Sequence, residues 1–246
     1  MSEPRIVVAA LVRNEADRFF RSALEAWSQF ADEIVVLDDW SDDATPDIVV
    51  EMPRNKYQLY GRYTHDAAWG KEAPARAQLW DHACEVAGVG NYVFILDADM
   101  VPARNPRPLL ASNPDAVAFT LYDLWSADEY RTDGFWRGHD VPRLWLAKVP
   151  LPPAGGWVWP ERGIHTGHFP LNLQPERVVF APRDFGLLHY AYSDPELRAA
   201  KHLQYGRVWD QLSEFERAHA DSILTEPTLE RLPFEPEYTL TLPANV

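Results

Sequence analysis

The sequence predicts an α/β domain with a mostly parallel central sheet and helices on both faces. Three observations predict it. Strand-length, β-branched apolar runs alternate with helix-period segments through the first half of the chain. That alternation is the pattern of a parallel sheet covered on both sides. Two of the apolar runs end in acidic clusters, Asp38-Asp39 and Asp97-Ala98-Asp99, as expected where a ligand sits beyond the carboxyl ends of strands.

Each element has its own reason. Residues 5–12 (RIVVAALV) form a short β-branched run bounded by charge, the mark of a buried parallel strand. A helix is expected to open at Asn14-Glu15 and run to about residue 30, because Phe19, Phe20, Ala23, Leu24 and Trp27 recur at helical spacing. Residues 33–37 (EIVVL) are the second strand, and residues 38–43 a polar turn in which Ser41 or Asp42 can cap a short helix over 44–50. Residues 57–60 read as a third, shorter strand. A helix with proline in its first turn spans 74–86, and the buried strand 92–96 (YVFIL) follows. Residues 116–122 are a further strand.

Beyond it the text changes to tryptophans, prolines and glycines, so short strands and long loops are expected until Pro195. A last amphipathic helix over 194–219, capped by Ser193 or Asp194, precedes an extended, proline-bearing tail.

Composition narrows the function. The chain has 246 residues, is 46% hydrophobic and carries a net charge of −14. It can bury a normal core, and its charge leans against stable nucleic-acid binding. No apolar run approaches the roughly 18 residues of a membrane span. No basic leader with a cleavage site is evident, so a cytoplasmic location is expected. The single cysteine, Cys84, excludes a disulfide framework and a cysteine metal cage.

The acidic turns carry the chemistry. Two carboxylates at i and i+2 past a strand end can face one cleft, and their oxygens are natural ligands of magnesium or manganese, which in turn bind phosphate. An Asp-x-Asp elsewhere is commonly just a solvated turn; the hydrophobic strand before Asp97 favours the ligand role. Asp39 can bind a ribose hydroxyl or a base edge, against the competing role of an ordinary polar turn. Arg76, at a helix start where a cation gains nothing from the dipole, can reach a phosphate, or form a surface pair with Asp81 or Glu72. His189 ends an apolar segment and can complete a metal site with Asp99. His165 and His168 have the spacing of a zinc pair but lack a third ligand. Among the 10 tryptophans, one or two are expected to line an acceptor groove. There is no glycine-rich phosphate loop after the first strand, where residues 12–15 read VRNE, and no nucleophile-elbow serine. Dinucleotide-binding dehydrogenases and serine hydrolases lose ground accordingly.

The pieces LVRNE after the first strand, EIVVLDDWSDDAT at 33–45, Ala75-Arg76 before Trp80, and FILDAD at 94–99 stand in an order that resembles the family 2 glycosyltransferases, which have the GT-A fold, a Rossmann-like single domain. The resemblance covers residues 5–125 well, and beyond them rests on Leu188-His189-Tyr190. It implies transfer of a sugar from a UDP-, GDP- or dTDP-sugar with inversion, helped by Mn2+ or Mg2+. It implies that Arg13, Glu15, Asp39, Arg76 and Asp97 bind the nucleotide, and that Asp97, Asp99 and His189 hold the metal. On this reading residues 1–125 are the donor half, 126–225 the acceptor half and 226–246 the tail. Where related enzymes place a glutamate after a histidine, His165 is followed by Thr166, so Asp140 and Glu161 are the candidates for the catalytic base. Two other functions compete: a nucleotidyltransferase making a nucleotide-sugar, and a non-catalytic nucleotide- or carbohydrate-binding module.

Overall fold

The computed structural model describes residues 3–53, 57–60, 72–160 and 167–243. The expected alternation is present: β1 (Ile6–Val12), α1 (Phe20–Trp27), β2 (Glu33–Asp38), α2 (Thr45–Glu51), β3 (Tyr57–Tyr60), α3 (Glu72–Ala87) and β4 (Tyr92–Ile95). Then come β5 (Met100–Pro102), β6 (Ala116–Phe119), β7 (Leu121–Asp123), β8 (Glu129–Arg131), β9 (Arg143–Lys148), β10 (Val178–Phe180) and β11 (Leu187–His189). The chain ends with α4 (Pro195–Gly206), α5 (Glu214–Ser222) and β12 (Leu229–Arg231).

Seven strands form the central sheet in the order β10-β6-β9-β4-β1-β2-β3. The pairs β1–β2, β1–β4, β2–β3 and β10–β6 are parallel. β9 runs antiparallel to both β4 and β6. β1 shows why helices cover both faces. Ile6, Val8 and Ala10 pack with Phe20, Leu24 and Trp27 of α1, whereas Val7 and Ala9 pack with Leu79, Trp80 and Ala83 of α3. Each large aliphatic side chain fully buried this way contributes about 1.5–3 kcal/mol of transfer free energy.

Several boundaries differ from the sequence expectation, each for a local reason. α1 starts at Phe20 rather than at Asn14-Glu15. Asn14 has a left-handed backbone, φ 54°. The next N–H groups go to side chains of the acidic turn: Asn14 to Ser41 Oγ at 2.9 Å, Glu15 to Thr45 Oγ1 at 2.7 Å and Ala16 to Asp43 Oδ2 at 3.1 Å. Side-chain acceptors outcompete the helix there, and they clamp the first acidic turn to the end of β1. The helix expected over 194–219 is two helices. α4 stops at Gly206, and Ser213 starts α5 with a capping box completed by Glu216. β9, a full strand of the central sheet, lies in the stretch read as irregular. The strand expected over 116–122 breaks into β6 and β7. The tail is extended as expected, but it is strapped down: β12 pairs with β8, Glu237 N–H donates to the Ala103 carbonyl at 2.7 Å, and Tyr238 packs on Phe30.

A second sheet, β5-β11-β7, decides the position of the site. Its register sets His189 opposite Met100 on one side and opposite Asp123 on the other. The Tyr190 N–H donates to the Asp99 carbonyl at 2.8 Å, locking the strand-end histidine beside the second acidic turn.

Candidate active site

The carboxyl ends of β1, β2 and β4 open on one cleft of about 1370 Å³. Arg13, Glu15, Asp39, Arg76, Asp97, Asp99 and His189 all line it. The two acidic turns therefore meet.

On the first turn, the Asp39 N–H donates to the Val12 carbonyl at 2.8 Å, continuing the β1–β2 ladder into the cleft. Arg13 Nη1 lies 3.8 Å from Asp39 Oδ2. Burial raises the Asp39 pKa, and Arg13 opposes the rise without cancelling it. Neighbouring Trp40 sits at φ 56°, a conformation costly for a bulky residue, at the tip of this turn.

On the second turn the two carboxylates differ. Arg76 Nη2 donates to Asp97 Oδ1 at 3.1 Å, and His168 Nε2 lies 3.7 Å from Asp97 Oδ2. Burial would raise the Asp97 pKa, but Arg76, with His168 and His189, outweighs it and holds this carboxyl well below the usual range. Arg76 is buried, with its Nε and Nη1 lacking hydrogen-bond partners among the described residues. A buried guanidinium with spare donors beside a cleft is a ready anion hook; the surface pair with Asp81 or Glu72 is not what forms.

Asp99 is only 6% exposed, so it is not a solvated turn residue. His189 Nε2 lies 3.6 Å from Asp99 Oδ1, and Arg18 Nη2 lies 3.6 Å from Asp99 Oδ2. The other ring nitrogen of His189, Nδ1, is 2.7 Å from Asp123 Oδ1. A carboxylate accepts there, so Nδ1 donates to Asp123 and Nε2 is the ring nitrogen turned toward Asp99. Burial would lower the His189 pKa; Asp99 and Asp123 outweigh it and raise it. Glu15 is the third acid of this corner. Burial lifts its pKa to about 7 against the pull of Arg18, with Asp99 adding to the rise.

Asp97, Asp99 and His189 do not form a three-ligand cluster: among the described residues no three His, Cys, Asp or Glu side chains do. Asp99 and His189 make a pair, and Asp97 turns to Arg76. Asp140 does not line the cleft. It is held by Arg137 at 2.7 Å and lies 3.4 Å from His139, so the structure does not bring it to the other site residues. Glu161 and His165 lie outside the described residues. Of the described tryptophans, Trp136 and Trp145 reach the cleft wall, and Trp145 packs on His168 with ring centroids 4.2 Å apart.

No family model matches the chain, and no curated protein does. Solved structures do. Residues 1–349 of S. aureus TarS match at 18% identity and a TM-score of 0.51, over 89% of this chain and 69% of that one. The same segment in complex with UDP matches at 17% identity and a TM-score of 0.51, again over 89% and 69%. The chain has a GT-A-type fold. Glucosyl-3-phosphoglycerate synthase from Mycobacterium tuberculosis, in complex with Mn2+, UDP and glucosyl-3-phosphoglycerate, matches at 18% identity over 49% of this chain and 44% of that one. The TM-score of that match is 0.33.

Within this GT-A fold, sequence reasoning missed four cleft residues: Arg18, Asp123, His168 as a neighbour of Asp97, and Lys201 of α4. Asp123 had a signal. It stands directly after the apolar run 116–122, as Asp38 and Asp97 stand after theirs. Arg18 and Lys201 had none, since arginine and lysine on helices and turns are usually solvated.

Proposed function

We propose that the protein transfers a sugar from a nucleoside-diphosphate sugar to an acceptor hydroxyl, with inversion and with a divalent ion. One observation carries the reading: two acidic turns from different strands converge in one cleft, and at their meeting point Asp99 lies 3.6 Å from Nε2 of His189.

That donor set fits Mn2+ or Mg2+. Magnesium is commonly held by one or two carboxylates plus substrate phosphates, and imidazole suits the later transition metals. Two protein ligands are therefore enough when a diphosphate supplies the others. Asp99 and His189 would hold the ion, which when bound offsets the charge growing on the departing diphosphate. Asp39 and Arg13 would hold the nucleoside, and the spare N–H groups of Arg76 would hold a donor anion, with Asp97 fixing the guanidinium. Asp123 keeps the His189 ring in the ligating tautomer. A carboxylate must take the acceptor's proton; with Asp140 engaged by Arg137, Glu161 is the sequence's remaining candidate. The single cysteine and a nucleotide-sugar donor suit a cytoplasmic enzyme. Among the described residues no helix is long and apolar enough to cross a membrane.

The test is turnover of UDP-, GDP- and dTDP-sugars with Mn2+ or Mg2+, comparing the protein with Asp99→Ala. Release of nucleoside diphosphate that needs the metal and disappears in the variant supports the reading. Equal turnover in Asp99→Ala sinks the metal role, and release of pyrophosphate from a nucleoside triphosphate and a sugar phosphate would make the protein a nucleotidyltransferase instead.

A further inference from the structure

Arg18 reaches the metal corner because α1 starts late. Helical periodicity would put it in the first turns of a helix. Instead Asn14, Glu15 and Ala16 give their N–H groups to Ser41, Thr45 and Asp43, and the Arg18 N–H closes a turn on the Glu15 carbonyl at 3.2 Å. That turn carries the side chains of Glu15 and Arg18 to the cleft.

The guanidinium held there is only partly satisfied. Nη1 donates to Glu15 Oε1 at 3.2 Å, while Nη2 lies 3.6 Å from Asp99 Oδ2, beyond hydrogen-bond reach. Nε is buried with no hydrogen-bond partner among the described residues, and so is Glu15 Oε2. Buried donors are nearly always paired. An arginine that serves the fold obeys this: Arg131 donates to both oxygens of Asp133, to the Ser222 carbonyl and to Thr225. Arg18, with a loose ion pair and an orphaned N–H, is set for an anion that brings its own oxygens.

Asp99 has the matching defect. Among the described residues its carboxylate takes no hydrogen bond, and both His189 Nε2 and Arg18 Nη2 stand 3.6 Å from it. A divalent ion takes carboxylate oxygens at about 2 Å. Bound to Asp99, such an ion would be a close like charge to the Arg18 guanidinium, weakly screened where Asp99 is only 6% exposed. The two cations can be neighbours only with an anion between them. A diphosphate is such an anion: some of its oxygens ligate the ion, and others accept paired N–H bonds from a guanidinium.

We infer that Arg18 competes with the divalent ion for Asp99, so that the protein takes the ion together with a nucleoside diphosphate and only weakly alone, and that the released guanidinium then grips the diphosphate. The inference rests on the metal and donor reading of this cleft. It makes Arg18 a ligand of the donor's phosphates and a filter against free ions.

Calorimetry on the whole protein tests this with three titrations: Mn2+ alone, UDP with saturating Mn2+, and UDP with EDTA. Arg18→Met keeps the apolar stem and removes the charge, and Arg18→Lys keeps the charge and loses the planar fork. Arg21→Met is the control, because Arg21 pairs with Glu51 on the exposed side of α1 and does not line the cleft. Mn2+ alone should bind Arg18→Met about tenfold more tightly than the protein, whereas UDP with Mn2+ should bind it about tenfold more weakly. Arg18→Lys should keep the weak Mn2+ binding and lose about threefold for UDP. Arg21→Met should match the protein in both. The opposite signs distinguish this role from structural damage, which weakens both. Mn2+ binding to Arg18→Met that is no tighter than to the protein, or UDP binding that is no weaker, overturns the inference. Should a urea melt show that Arg18→Met does not fold, Arg18→Lys decides: UDP with Mn2+ held as tightly as by the protein overturns it. If the protein itself binds UDP equally with Mn2+ and with EDTA, the metal reading fails and the Arg18 assignment falls with it. UDP binding that needs Mn2+ but ignores both Arg18 substitutions sinks the Arg18 assignment alone.

Discussion

β1 and Arg131 are equally hidden from water, and different forces hide them. Residues 6–10 are 0% exposed and sit among aliphatic and aromatic side chains on both faces of the sheet. Arg131 is 1% exposed and carries a charge. It donates to both oxygens of Asp133 at 2.7 and 2.8 Å, to the Ser222 carbonyl at 2.6 Å and to Thr225 Oγ1 at 2.9 Å. The rings of Trp125 and Trp136 lie 4.8 and 5.3 Å from its guanidinium carbon. The first half of the chain is thus held by periodic apolar burial, and the aromatic second half by a polar hub wrapped in rings. A hub tolerates no missing partner, since an unpaired buried charge is far costlier than a lost methylene. It also fixes the loop that presents Phe135 and Trp136 to the cleft.

Four substitutions break or sharpen this contrast, from the largest expected effect down. Asp99→Ala on the donor side should cost at least about a hundredfold in kcat, on the order of 3 kcal/mol, while leaving the fold stable. Steady-state turnover with saturating Mn2+ and a urea melt separate the two readouts. Arg131→Met on the aromatic side should do the opposite: stability falls by about 2–4 kcal/mol in urea because Asp133 and the Ser222 carbonyl lose their donor. If Arg131→Met unfolds no more easily than the protein itself, the hub is decoration and the contrast is wrong.

Asp123→Asn should weaken Mn2+ binding by about 10–100-fold, measured by calorimetry, because the His189 ring loses the carboxylate that fixes its tautomer. Metal affinity should also rise as pH is taken upward through the raised His189 pKa, which stands above the ordinary 6.5, since protons and metal compete for Nε2.

The smallest effect belongs to Glu15→Gln. The folded pKa of Glu15, about 7, lies above its ordinary 4.5. A carboxyl shifted upward leaves stability intact below its unfolded pKa and costs stability as pH rises through its folded one. Glu15→Gln should therefore raise the melting temperature at pH 8, by an amount equivalent to about 1 kcal/mol, and by progressively less as the pH is lowered toward 5. A gain that does not depend on pH would mean the effect comes from packing and not from burying the charge.

The same contrast explains what could be read in the sequence. The sheet of the first half was legible because β1, β2 and β4 are buried apolar runs, and the cleft opens where those runs end. The placement of Asp39, Asp97 and Asp99 in the cleft followed from that rule, and that of Asp123 would have followed had it been applied to a fourth run. β9 was hidden because Arg143–Lys148 is a single short strand among prolines and tryptophans, with no flanking helix to complete an alternation. The cleft's far wall was hidden for a deeper reason. Trp125, Asp133, Trp136, Ser222 and Thr225 meet around Arg131 from segments without a shared period, and no spacing in the text announces a contact between residues 131 and 225. The start of α1 was misjudged because Ser41, Asp43 and Thr45 reach across from another turn and take its first N–H groups.

The account rests on Asp39, Asp99 and His189 serving one nucleotide and one ion in one place. Thermal unfolding with UDP, measured with Mn2+ and with EDTA, tests this most directly. At UDP and Mn2+ concentrations near 100 times Kd, the protein should gain about 2.7 kcal/mol of stability; EDTA should remove most of that gain, and Asp99→Ala should not show it. UDP stabilisation that is the same with EDTA, or that survives intact in Asp99→Ala, would contradict the account.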